Sequence, residues 1–217
     1  MILVNFKTYQ EATGEAALKL AKICQEVSLT SKIEIIPVVQ ATDLNLLSKA
    51  GIKVWVQGLN DVDFGPHTGK ILPQAVIAAG AKGVILNHSE NKIPPTIIIS
   101  SVNRLRKINK NFKVLVCCES LTEAQNFISC APDMIAYEPP ELIGGDISVS
   151  RAKPEIITDF VSYLKTIPVL VGAGIHNSQD VIKALSLGAK GILVSSGVVL
   201  NPNPKEILQD LVSAFKK

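Results

Sequence analysis

No apolar run in this 217-residue sequence approaches the roughly 18 to 20 residues that a membrane-crossing helix needs, although mean hydropathy is positive at +0.30. Asn5 and Lys7 interrupt the amino terminus too early for a signal peptide. Nor is there a block of one charge. The 22 basic and 19 acidic residues leave a net +3, without the basic, aromatic-interleaved stretches of nucleic-acid binders. DNA, RNA and membrane surfaces are therefore excluded as expected partners, and the location expected is cytoplasmic. Cysteine is sparse. Cys24, Cys117, Cys118 and Cys130 form no CxxC and have no metal-ligand spacing with any of the three histidines. They read as reduced core residues, and no metal site is expected. Adjacent Cys117 and Cys118 point to opposite faces of a strand, which leaves one of them free to line a site.

What the sequence does contain is alternation. With 47% hydrophobic residues the chain can bury a sizeable core within one domain, residues 1–217. Short Val- and Ile-rich runs predict eight strands, at Ile2–Asn5, Ile33–Val38, Lys53–Gln57, Gly83–Leu86, Lys113–Cys117, Met134–Tyr137, Val169–Val171 and Gly191–Val194. Helical spacing fills the gaps, for example over 13–27, 94–108, 120–130, 153–165, 177–188 and 203–215. Several of these stretches open on Ser, Asn, Thr or Pro, as helix starts do. Such alternation fits a parallel sheet covered by helices, either an open doubly wound sheet or a closed barrel. An internal echo favours closure: "GAKGVIL" at 80–86 returns as "GAKGILV" at 188–194, about half the chain later. The fold class expected is α/β, a single (β/α)8 barrel.

In such a barrel the chemistry belongs to the loops that leave the C-terminal ends of the strands. Four exits carry informative side chains. After strand one, Asn5 and Lys7 alternate with Phe6 and project to one side. After strand four come His88, Ser89 and Glu90. Glu138 ends strand six, ahead of Pro139 and Pro140. The small residues of "VGAGI" (Gly172, Gly174) and "VSSGVV" (Ser195, Ser196) follow strands seven and eight and can aim backbone N–H groups at an anion. Singly, each has an ordinary reading, as a surface lysine, a polar loop histidine, a turn glutamate or a flexible hinge. Gly-X-Gly is no dinucleotide fingerprint here, because Asn177 stands where the third glycine belongs. Together, a cation, an imidazole, a carboxylate and an anion cradle at four strand ends converge on one mouth.

"NFKTY", "HTG", "LNHSEN", "EPPELIG", "GAGI" and "SGV", in that order along essentially the whole chain, resemble the triosephosphate isomerase family in its compact archaeal branch. The resemblance implies interconversion of dihydroxyacetone phosphate and glyceraldehyde 3-phosphate, in glycolysis and gluconeogenesis, with no cofactor and no metal. By that resemblance Glu138 is the base that moves a proton between two carbons. His88, acting as a neutral imidazole, polarises the carbonyl. Asn5 and Lys7 hold substrate and face developing negative charge, and Glu90 positions Lys7. Backbone groups at Ile143, Gly172, Gly174, Ser195 and Ser196 take the phosphate. The stretch from Pro139 to Gly145 implies a lid, stiff at its start, apolar at Leu142 and Ile143 and loose at Gly144 and Gly145. Asp146 departs from the family pattern, because it sets a carboxylate beside a phosphate-binding hinge. The loop "NDVDFGPHTGK", with His67 and Thr68, resembles the arm that packs onto a neighbouring subunit, so a homodimer or homotetramer is implied. Other phosphate-binding barrels share the glycine-rich exits but leave Lys7, His88 and Glu138 without a joint purpose.

Overall fold

The structure, a computed structural model, describes residues 1–142 and 148–216. Its eight strands are β1 (Ile2–Asn5), β2 (Ile35–Val39), β3 (Trp55–Val56), β4 (Gly83–Leu86), β5 (Lys113–Cys118), β6 (Met134–Tyr137), β7 (Val169–Val171) and β8 (Gly191–Val194). Each lies parallel to the next, and β8 returns to β1 through Ile2↔Ile192, Leu3↔Leu193 and Val4↔Val194, which closes the barrel. The strands have buried residues on both faces, and Val and Ile suit that setting because branched side chains pack well on a pleated surface.

The period of two divides the core. Leu3, Ile36, Trp55, Ile85, Leu115, Met134, Ala136, Leu170 and Leu193 fill the barrel interior. Their neighbours Ile2, Val4, Ile35, Val84, Val114, Ile135, Val169 and Ile192 face outward into the layer beneath the helices. Cys117 falls in the inner set and Cys118 in the outer one. The indole of Trp55 lies over Gly83 of the adjacent strand β4, where an added Cβ would lie 2.5 Å from the ring.

The helices are α1 (Glu15–Ser31), α2 (Leu44–Lys49), α3 (Pro73–Ala78), α4 (Pro95–Ile108), α5 (Leu121–Gln125), α6 (Val149–Ala152), α7 (Pro154–Leu164), α8 (Ser178–Ser186), α9 (Ser196–Val199) and α10 (Pro204–Ser213). Proline opens α3, α4, α7 and α10, where its missing N–H has no bond to lose. Ser120 caps α5 by accepting the Glu123 N–H at 3.1 Å. Asn177 caps α8 through the N–H groups of Gln179 and Asp180.

The sequence echo is one cap built twice. Gly80 (φ 101°) and Gly188 (φ 98°) end α3 and α8 in the left-handed region. The next residue donates back to the helix in both copies, Ala81 to Val76 O at 3.3 Å and Ala189 to Ala184 O at 3.2 Å. Two departures from the expected elements have local causes. The stretch predicted as one helix over 120–130 breaks into α5 and a 3-10 turn at Ile128–Cys130, with Phe127 buried between them. Strand β3 is shorter than Lys53–Gln57, yet the ladder continues past its ends, since Lys82 donates to Val54 O at 2.9 Å and Gln57 to Val39 O at 3.0 Å.

Candidate active site

At the C-terminal mouth of the barrel a cavity of about 80 Å³ is lined by Asn5, Lys7, His88, Glu138, Gly174, Ser195 and Ser196. Strand parity explains most of this convergence. Leu3 points inward, so Asn5 does too, while Lys7 reaches the cavity from the turn beyond the strand; Ala136 does the same for Glu138, and Leu193 for Ser195.

His88 reaches the mouth by a different route. Leu86 faces outward, and strict alternation would send His88 outward as well. Asn87 resets the chain with φ of 61°, a conformation that Asn tolerates better than most residues. It is held there from both ends of its amide. Nδ2 donates to Cys117 O at 2.9 Å and to Glu123 at 2.7 Å, while Oδ1 accepts the Ile93 N–H at 3.2 Å.

The next turn fixes the protonation of the imidazole. The Glu90 backbone N–H donates to His88 Nδ1 at 3.2 Å, which requires a lone pair on that nitrogen. The proton of the neutral ring therefore sits on Nε2, which lies 3.8 Å from Glu138 Oε2. Glu90 Oε2 also approaches Nδ1, at 3.7 Å. Glu90 binds Lys7, Oε1 to Nζ at 2.5 Å.

Lys7 adopts a left-handed backbone (φ 47°), which for a long side chain costs on the order of 1–3 kcal/mol. Neighbouring groups determine that geometry. Its N–H donates to Asn5 Oδ1 at 3.1 Å, and its carbonyl accepts from Gln57 Nε2 at 2.8 Å. With Oδ1 engaged by Lys7, Asn5 presents its amide N–H groups to the cavity.

Glu138 is 5% exposed, and its Oε2 has no hydrogen-bond partner among the described residues. A buried, unpaired carboxylate oxygen costs stability, and a catalytic role is one reason for a fold to retain it. The carboxylate is seated between two small neighbours. Behind it stands Gly172, where an added Cβ would lie 2.6 Å from Cγ and Oε1; Gly172 thus packs on Glu138 and is not among the described lining residues. Beside it is Cys117, whose thiol is pushed well above the ordinary thiol range by burial first and the nearby Glu138 charge second.

On the far wall the chain turns sharply at Ala173 (φ 72°) and Gly174 (φ 66°), and Ser195 Oγ donates to Asn5 O at 2.8 Å, tying the exit of β8 to that of β1. Ser196 and Gly197 begin α9, where N–H groups lack partners inside the helix. Ile143, Gly144, Gly145 and Asp146 lie outside the described residues. Sequence reasoning missed Gln57, Tyr9, Ala173 and Gly197. Parity offered a signal for Gln57 alone, two residues beyond the inward-facing Trp55.

Comparisons with known proteins place the chain in a family. A family profile described as "Triosephosphate isomerase" matches residues 1–211. The triosephosphate isomerase of Methanothermus fervidus is 41% identical over 219 residues, covering 98% of this chain and 97% of that protein. That of Thermoplasma volcanium is 41% identical over 214 residues, covering 97% and 98% respectively. Among solved structures, triosephosphate isomerase from Bartonella henselae superposes with a TM-score of 0.75 at 22% identity, covering 100% of this chain and 98% of that one, a likeness of fold.

Proposed function

Because the chain belongs to the triosephosphate isomerase family, we propose that it interconverts dihydroxyacetone phosphate and D-glyceraldehyde 3-phosphate with the Glu138 carboxylate as the proton carrier. The observation that carries the assignment of roles is the open Oε2 of Glu138, buried and 3.8 Å from a ring nitrogen that bears a proton. A base needs a free lone pair within reach of the carbon acid, and an electrophile needs a proton aimed at the carbonyl.

In the forward direction Glu138 takes a proton from C1 while the C2 carbonyl oxygen becomes anionic. Nε2–H of His88 and the ammonium of Lys7 face that charge. Preorganised donors of this kind contribute about 3 kcal/mol each to the transition state. Glu138 then returns the proton to C2, and His88 relays protons between the two oxygens. Both the oxidised and the reduced carbon belong to one substrate, so the stoichiometry calls for no redox cofactor. Asn5 donates to substrate through its amide, and Glu90 acts at one remove by holding Lys7.

The phosphate is assigned to the backbone N–H groups of Gly174, Ser195 and Ser196, joined by Ile143 from the lid as in the family resemblance. Amide dipoles can neutralise a dianion without an arginine. The loop 60–70 is assigned to self-association, giving a homodimer at minimum, with a homotetramer as the larger alternative. Phe64 is 75% exposed on it. Arg104 of α4 braces its base through Asp61 at 2.7 Å and Asp63 at 3.2 Å. A cytoplasmic location fits a single-domain sugar-phosphate enzyme, and no helix among the described residues is long and apolar enough to cross a membrane.

The test is a coupled assay. Glyceraldehyde 3-phosphate is supplied, the dihydroxyacetone phosphate formed is reduced by a dehydrogenase, and wild type is compared with Glu138→Gln. Fast turnover is expected to collapse in the variant while inhibition by inorganic phosphate survives. Equal turnover in the two proteins would remove Glu138 from the role of base.

A further inference from the structure

Asp180, on the first turn of α8, is 3% exposed and does not line the active-site cavity. Burying an ionised carboxylate is costly unless its oxygens are paired, and here both are. Oδ1 accepts the Ser148 hydroxyl at 2.9 Å and Arg151 Nε at 2.7 Å. Oδ2 accepts the backbone N–H of His176 at 3.1 Å. The Asp180 carbonyl takes the Ser150 hydroxyl at 3.0 Å, and the Val149 N–H donates to Ala173 O at 3.3 Å. One buried side chain thus links α6 and the residue before it to the turn that follows β7.

We infer that Asp180 is a positioning residue for the phosphate-binding turn 173–176, holding its left-handed residues Ala173 and Gly174 in the arrangement that directs amides at the substrate's anionic end. Ala173 at φ 72° is strained for a residue with a side chain, so the turn needs outside constraints to keep its shape. Asp180 supplies one at each end: directly at His176, and through Ser148 and the Val149–Ala173 bond at the start. Its own negative charge, which would oppose a dianion, is turned toward Arg151 instead. The inference rests on the reading of Gly174 as a phosphate contact.

Asparagine at 180 keeps the shape but has one acceptor oxygen, so it cannot serve Ser148, Arg151 and His176 together. The experiment compares wild type with Asp180→Asn in three measurements: isomerisation of glyceraldehyde 3-phosphate, competitive inhibition by inorganic phosphate, and solvent proton exchange at C2 of phosphate-free D-glyceraldehyde followed by NMR. The expected result is a loss of about ten- to a hundredfold in kcat/KM for the phosphorylated substrate, of the size seen when a buried hydrogen bond is left unmade. The inhibition constant for phosphate rises, and exchange of the unphosphorylated aldehyde changes less than about twofold. A proportional fall in both substrates, or no fall in either, overturns the inference. If wild type itself is not inhibited by phosphate, the assignment of the turn to phosphate fails first, and the inference fails with it. Should Asp180→Asn not accumulate as folded protein, Ser148→Ala carries the same comparison, since it deletes one donor and no charge.

Discussion

Gly172 holds open the space in which Glu138 sits: a Cβ at 172 would come within 2.6 Å of Cγ and Oε1 of the carboxylate. Contacts that close force one group to move, and the backbone just past β7, held by the Gly172 N–H to Tyr137 O at 3.0 Å, is less free to yield than a side chain.

Gly172→Ala is therefore expected to displace the carboxylate and leave the barrel intact. A misplacement of about 1 Å in a reacting group lowers turnover by on the order of a hundredfold. Steady-state kinetics should show that loss in kcat, with phosphate inhibition near the wild-type value and an unchanged far-UV spectrum. Full activity in the alanine variant would mean that the seat of Glu138 is not set by its neighbour.

Much of this seat was legible in the sequence. Parity along β1, β6 and β8 places Asn5, Glu138 and Ser195 on the inner face, and parity needs only strand boundaries, of which β1, β4, β6, β7 and β8 match their predicted limits. The repeated glycine cap was legible as well, because a glycine that closes a helical stretch just ahead of a strand marks a left-handed cap. The role of Gly172 was not. Nothing in "LVGAGI" separates a glycine that frees an amide from one that makes room for a side chain on the neighbouring strand. His88 also escapes parity, since its direction depends on the φ of Asn87, which is set by contacts with Cys117 O and Glu123 some 30 or more residues away in sequence. The Asp180 cluster was illegible for the same reason: an Asp in the first turn of a helix reads as a response to the helix dipole, and its burial follows from where α6 packs.

Shortening the base tests the geometry from the other side. Glu138→Asp keeps the charge and the open lone pair but withdraws the carboxylate by one methylene from a position now 3.8 Å from His88 Nε2. The expected outcome is a fall in kcat of about a hundredfold or more, with KM changed little because the phosphate contacts lie on other strands. An Asp variant with wild-type kcat would show that reach does not limit the proton transfer.

The opposite end of the barrel makes a prediction about acid. Asp133, just before β6, is half-buried, which by itself disfavours its charged form. That effect is outweighed by Lys113 at 2.9 Å, Arg106 at 2.6 Å and the Val114 N–H at 2.9 Å, which together hold the carboxyl below its ordinary range. In the unfolded chain the same group takes up a proton near pH 3.9, so the unfolded state binds more protons and acid favours it. The stabilisation is fully present above that value and is lost as pH falls through the lower folded one. Melting temperature is accordingly expected to decline below about pH 4 in wild type. Asp133→Asn, lower melting at neutral pH, should decline less steeply there, because it has no proton to gain at this position. Activity of the folded variant should be unaffected, since Asp133 lines no part of the cavity that holds Glu138 and His88. Parallel acid slopes in the two proteins would assign the acid sensitivity to other carboxylates.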